Sequence, residues 1–97
     1  MKLIDNFMKK RGFVKITEDR FGVYYERHDE RYHFNHVVCV LHKKSGEHIM
    51  QSYDSKTLKI NNDYINEGCG VEIPVLLAMW IKAKWMSHKY HWRKKGR

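Results

Sequence analysis

The stretch Tyr32 to Lys43 constrains the fold more than any other. Read as an extended strand, it alternates Tyr32, Phe34, His36, Val38, Val40 and His42 on one side with His33, Asn35, Val37, Cys39, Leu41 and Lys43 on the other. From Val37 to Leu41 both sides are apolar. A strand of this kind belongs in the interior of a sheet, with neighbours on both edges and cover on both faces.

The flanking sequence supplies partners for that strand. Phe13 to Ile16 and Phe21 to Arg27 read as short strands joined by a turn at Glu18-Asp19-Arg20. His28-Asp29-Glu30 is a polar turn, and Lys44-Ser45-Gly46 a hairpin turn leading into a returning strand from Glu47 to Tyr53. Asp54 to Gly70, rich in Asn and Gly, reads as an ordered loop with room for a short strand near Leu58 to Ile60. Ahead of the strands, Lys2 to Arg11 carries Ile4, Phe7, Met8 and Arg11 at helical spacing, with Gly12 as a left-handed stop and Phe13 as its apolar contact.

Pro74 to Arg93 reads as a long helix, with Pro in the first turn where its missing N–H costs nothing. It has two apolar stripes. Leu76, Met79, Trp80, Ala83, Met86 and Tyr90 form one; Leu77, Ala78, Ile81, Trp85, His88 and Trp92 form the other. Ser87, Lys84 and His91 separate them on one edge, and Lys82, Lys89 and Arg93 on the opposite edge. A sheet covers one stripe only. The second must meet the first helix, the loop or another molecule, and Ile81, Trp85, His88 and Trp92 are the expected homodimer interface.

The expected architecture is therefore an α+β single domain over residues 1–97: a short N-terminal helix, an antiparallel sheet of three to five strands, and a long C-terminal helix packed on the sheet. The basic end 93–97 is the one part that this domain need not hold. The helix–strands–helix order resembles the double-stranded RNA-binding domain, which also reaches its last helix through a Gly-containing loop. That family places a Lys cluster at the start of the last helix, where this chain has Val71 to Leu77; the resemblance is one of element order and implies no membership.

Charge gives the functional lead. Residues 1–72 hold twelve Lys and Arg against all eleven acids, whereas residues 73–97 hold seven Lys and Arg and no acid. A polyanionic partner is the expectation: nucleic acid, held with little sequence specificity by Lys82, Lys84, Lys89, Arg93, Lys94, Lys95 and Arg97 on phosphates, with Trp92 stacking on bases. The alternative is a protein-interaction module or inhibitor that docks an acidic protein surface.

Enzymatic chemistry finds little footing. Cys69 precedes the long helix, but no Cys–His spacing supplies a base, and Cys39 reads as a buried small hydrophobe. His33 and His36 fall on opposite strand faces, His36 and His42 are too far apart along one face, and His88 and His91 face different edges of the helix, so no metal site is expected. Neither a zinc-binding nor a nucleotide-binding motif occurs, and no cofactor is expected. Gly68-Cys69-Gly70 lacks a following cation and leads to Glu72, which would repel phosphate. With no secretory signal, no apolar run long enough for a membrane span and no low-complexity segment, a cytoplasmic, non-enzymatic accessory protein is expected.

Overall fold

A computed structural model describes residues 2–30, 34–43, 45–60 and 63–92; for 29, 34, 56–60 and 63–67 it describes the backbone alone. The elements run α1 (Lys2–Lys10), β1 (Val14–Asp19), β2 (Gly22–Asp29), β3 (Phe34–His42), β4 (His48–Ile60), β5 (Asp63–Gly68) and α2 (Ile73–Lys89). The five strands form one antiparallel sheet in sequence order, β1-β2-β3-β4-β5, which puts the doubly apolar β3 at its centre. Among the described residues, no helix is long and apolar enough to cross a membrane.

The register explains the faces. Val23 stands opposite Val40, Tyr25 opposite Val38 and Arg27 opposite His36. On the other side of β3, Met50 faces Val40 and Ser52 faces Val38. Both helices lie on this face, where Val23, Tyr25, Val38 and Val40 join Ile4, Met8, Phe13, Val75, Ala78, Met79, Met86 and Trp92 in the core.

The opposite face differs from the expectation of cover on both sides. Val37 and Cys39 are buried there, yet no described helix lies over them. Their cross-strand neighbours shield them instead: Glu26 and Tyr53 flank Val37, and Tyr24 and Gln51 flank Cys39. Large side chains directly across a ladder are close enough to exclude water from a small residue between them.

The ends of α1 follow from the sequence. The Phe13 N–H donates to the Met8 carbonyl and the Gly12 N–H to the Lys9 carbonyl, closing the helix with Gly12 at φ 90°. Phe13 then enters the core almost fully buried. Gly22 is required at its position: a Cβ there would stand 2.3 Å from the Val40 carbonyl oxygen.

Two segments depart from the sequence reading. The expected loop after Asp54 is a second hairpin, because β4 continues to Ile60 and pairs with β5 from Leu58↔Ile65 to Ile60↔Asp63. The long helix stops at Lys89 rather than reaching Arg93. His91 adopts a left-handed conformation (φ 53°), and the Trp92 N–H donates back to the Ser87 carbonyl. This reversal sends Trp92 toward the sheet.

The thiols report on the layout. Burial pushes the Cys39 thiol up to about 11, whereas Cys69 is half-exposed. A thiol-specific reagent at pH 8 should modify Cys69 in the folded protein and leave Cys39 untouched until denaturant is added. Fast modification of both by mass spectrometry would contradict the central position of β3.

Candidate nucleic-acid interface

The orientation of α2 decides which side chains reach solvent. The helix buries Val75, Ala78, Met79, Lys82 and Met86. It therefore sits on the edge that carries Lys82, between the two apolar stripes, instead of on one stripe. A lysine can occupy that position because its charge is met. Lys82 Nζ lies 2.6 Å from Glu18 Oε1 and 3.1 Å from Asp5 Oδ1, with the side chain 0% exposed.

Asp5 is the hub of this cluster, accepting from Lys82, from Lys15 at 2.8 Å and from the Tyr25 hydroxyl. Burial alone would raise the Asp5 carboxyl, but the hydrogen bonds from Lys15, Tyr25 and Lys82 outweigh it and hold the group at about 2. Burial likewise opposes ionisation of Glu18, and Lys82 and Lys15 overcome it, so that carboxyl is lowered too. Lys82 is thereby withdrawn from the proposed set of phosphate contacts. Its donors are engaged by two carboxylates and it has no surface to offer.

Trp92 is withdrawn as a base-stacking residue for a parallel reason. Its ring lies flat on His42, with centroids 5.0 Å apart and planes at 6°, and packs against His48 at 4.9 Å. Its indole N–H donates to the Arg20 carbonyl at 2.7 Å, and only 6% of the residue is exposed. It also leaves the expected dimer interface, being part of the core. Trp85, another member of that expected interface, is half-buried between the Lys82 and Lys89 ammonium groups, 4.9 and 4.7 Å from its ring centroid. Of that set, Ile81 and His88 remain exposed.

The solvent-facing side of α2 divides along its length. Its first three turns expose Ile73, Leu76, Leu77, Trp80 and Ile81. Its last turns expose Lys84, His88 and Lys89, followed by His91. This second half borders a cleft of about 880 Å³ between α2 and the β3–β4 hairpin, lined on the helix side by Trp80, Lys84, Ser87, His88 and His91 and on the strand side by His48 and Glu47. His88 and His91, expected on different edges of the helix, both border this cleft. Among the described residues, no three His, Cys, Asp or Glu side chains converge as a metal site. Arg93, Lys94, Lys95 and Arg97 lie outside the described residues.

A second polar cluster was not visible in the sequence. Arg27 donates to both Glu72 carboxylate oxygens at 2.8 and 2.9 Å and lies 3.1 Å from His36 Nδ1. His36 Nε2 is 2.6 Å from Ser52 Oγ, which lies 3.6 Å from Cys69 Sγ. Hydrogen bonding to Arg27 holds the Glu72 carboxyl at about 2, and burial together with the Arg27 charge keeps His36 below its ordinary value. An Arg N–H directed at Nδ1 makes that nitrogen the acceptor, so Nε2–H donates to Ser52. Ser52 stands between His36 and Cys69, so the ring is not placed as a base on the thiol. The cluster joins β2, β3 and β4 to the start of α2, and its parts come from register, which spacing in one chain does not reveal.

No protein-family model matches this chain, and no curated protein or solved structure shows significant similarity to it.

Trp92 provides a direct test of this placement. Replacing it with Ala should cost about 3–5 kcal/mol in a urea or thermal unfolding experiment, as removal of a buried aromatic does. A change below about 1 kcal/mol would mean that the ring is at the surface and available to a ligand.

Proposed function

We propose that this protein is a non-enzymatic accessory protein that binds nucleic acid through its phosphates, with little sequence specificity, by the C-terminal end of α2 and the basic residues that follow. The observation that carries the reading is the concentration of seven cations and no acid in residues 73–97, supported by the exposure of Lys89 and by that of Lys84 beside a cleft bordered by His48, His88 and His91. Of the seven, Lys82 is internally neutralised, leaving Lys84, Lys89, Arg93, Lys94, Lys95 and Arg97 as the contact set. Glu47 is the acid that borders the cleft. Lys and Arg in such an array displace condensed counterions from a phosphate backbone, which favours binding without reading bases. With Trp92 stacked on His42, the interaction is electrostatic tracking of the backbone and not base stacking.

A second reading has its own support. The apolar half of the free face of α2 is unlike a nucleic-acid surface, and it fits a protein-interaction module or inhibitor that combines this patch with the cations to dock an acidic protein. The absorbance ratio at 260 and 280 nm after purification in low salt separates the two, since co-purifying nucleic acid favours the first.

Affinity for duplex DNA or RNA should fall steeply with salt, with a log–log slope of about −0.9 per neutralised phosphate, and for single strands about −0.7. Deleting Arg93 to Arg97 removes four cations and should shallow the duplex slope by up to about 3.6 units, with little change in melting temperature. Absence of binding to either form at about 50 mM salt in an anisotropy titration would overturn the proposal.

A further inference from the structure

We infer that the apolar half of the free face of α2 is the contact surface of an antiparallel homodimer. Ile73, Leu76, Leu77, Trp80 and Ile81 recur at i, i+3, i+4, i+7 and i+8, one face of the helix, and are 70, 42, 55, 56 and 42% exposed. Together they present roughly 550 Å² of apolar surface, near the upper end of what a monomer ordinarily leaves to water. Two such patches face to face bury about 1,100 Å², and the stems of Lys84 and His88 at the rim bring the contact to the ~1,200 Å² at which specific interfaces begin.

Charge selects the occupant. The only ionisable side chain from Ile73 to Ala83 is Lys82, which points into the core and is neutralised there by Asp5 and Glu18. The stripe itself carries no charge, with the Lys84 ammonium at its edge, 5.3 Å from the Trp80 ring centroid. It is complementary to another neutral apolar surface, and its own copy is one. Two chains of charge +8 approach each other favourably only where their cations stay apart.

Antiparallel packing achieves this. With the two-fold axis between Ala78 and Met79, Leu77 meets Trp80 of the second copy, Leu76 meets Ile81, and Ile73 meets the stem of Lys84, so one patch is matched by itself as an isologous contact requires. The two Lys84 residues are then about 16 Å apart along the helix at 1.5 Å per residue, beyond the ~8 Å screening length at physiological salt. Parallel packing would set them side by side. This differs from the interface expected from the sequence: Ile81 is retained, His88 moves to the rim, and Trp85 and Trp92 give way to residues that the fold leaves outside.

The test is the mass of the intact chain by light scattering at ~100 μM and 0.3 M salt. The expected value is twice 11.8 kDa, with Leu77→Glu and, separately, Ile81→Arg each reverting the protein to one chain mass while circular dichroism stays native. Orientation is read by disulfide capture in a Cys69→Ser background with oxidised glutathione as oxidant: Leu77→Cys, whose copies lie about 4–5 Å apart along the axis, should be captured, and Lys84→Cys should not. A wild-type monomer, a dimer that persists in both charged variants, or capture through Lys84→Cys in preference to Leu77→Cys would each overturn the inference.

Discussion

Lys82 is the residue on which the arrangement depends. A lysine ammonium withdrawn completely from water is costly unless its charge and hydrogen bonds are met, at several kcal/mol for an isolated ion. Asp5 from α1 and Glu18 from β1 meet it; the Tyr25 hydroxyl from β2 donates to the same Asp5 Oδ1, and Lys15 from β1 takes Oδ2. Four elements are thus joined at one point of the core, in a low-dielectric setting where partly satisfied groups are more costly than apolar ones. The cluster is directional in a way that Met79 and Met86 are not. It fixes the rotation of α2 about its own axis.

That rotation determines what the protein shows to solvent. A helix with two apolar stripes has two ordinary ways to lie on a sheet, each hiding one stripe. Seated on its Lys82 edge, α2 hides the inner half of both: Met79 and Met86 from one, Ala78 from the other. The outer halves, Leu76 and Trp80 with Leu77 and Ile81, merge into one exposed patch. The edge that carries Lys84, Ser87 and His91 becomes the centre of the free surface. The neutral patch and the cationic end are then consecutive along one helix, giving a surface with an apolar half and a charged half.

Much of the fold was legible in the sequence because its signals were local. The alternation of β3, Gly12 with Phe13 after the first helix, Gly46 in the turn between β3 and β4 and Pro74 in the first turn each act within a few residues. The second hairpin reads as a loop with at most a short strand near Leu58 to Ile60, because its Asn-rich composition resembles a connection, whereas the pairing of Leu58 with Ile65 is a property of two segments together. The site was less legible. Lys82 reads as a surface charge because lysines usually are, and only the tertiary arrival of Asp5 and Glu18 reverses this. Trp92 reads as part of a helix face because nothing in its neighbourhood announces the left-handed turn at His91. Lys84 and Lys89 are exposed, with their ammonium groups over the Trp80 and Trp85 rings.

The claim that the Lys82 cluster seats α2 is tested most directly by a double-mutant cycle between Asp5→Asn and Lys82→Met, measured by urea unfolding. Removal of either partner alone leaves the other only partly compensated, Lys82 by Glu18 and Asp5 by Lys15 and Tyr25, and should cost about 2 kcal/mol. The double variant should be much less than additive, with a coupling energy of at least ~1.5 kcal/mol, because each substitution relieves the penalty left by the other. Additivity within ~0.5 kcal/mol would contradict the account, since it would mean that the two groups do not meet in the folded protein and that α2 is seated on some other edge.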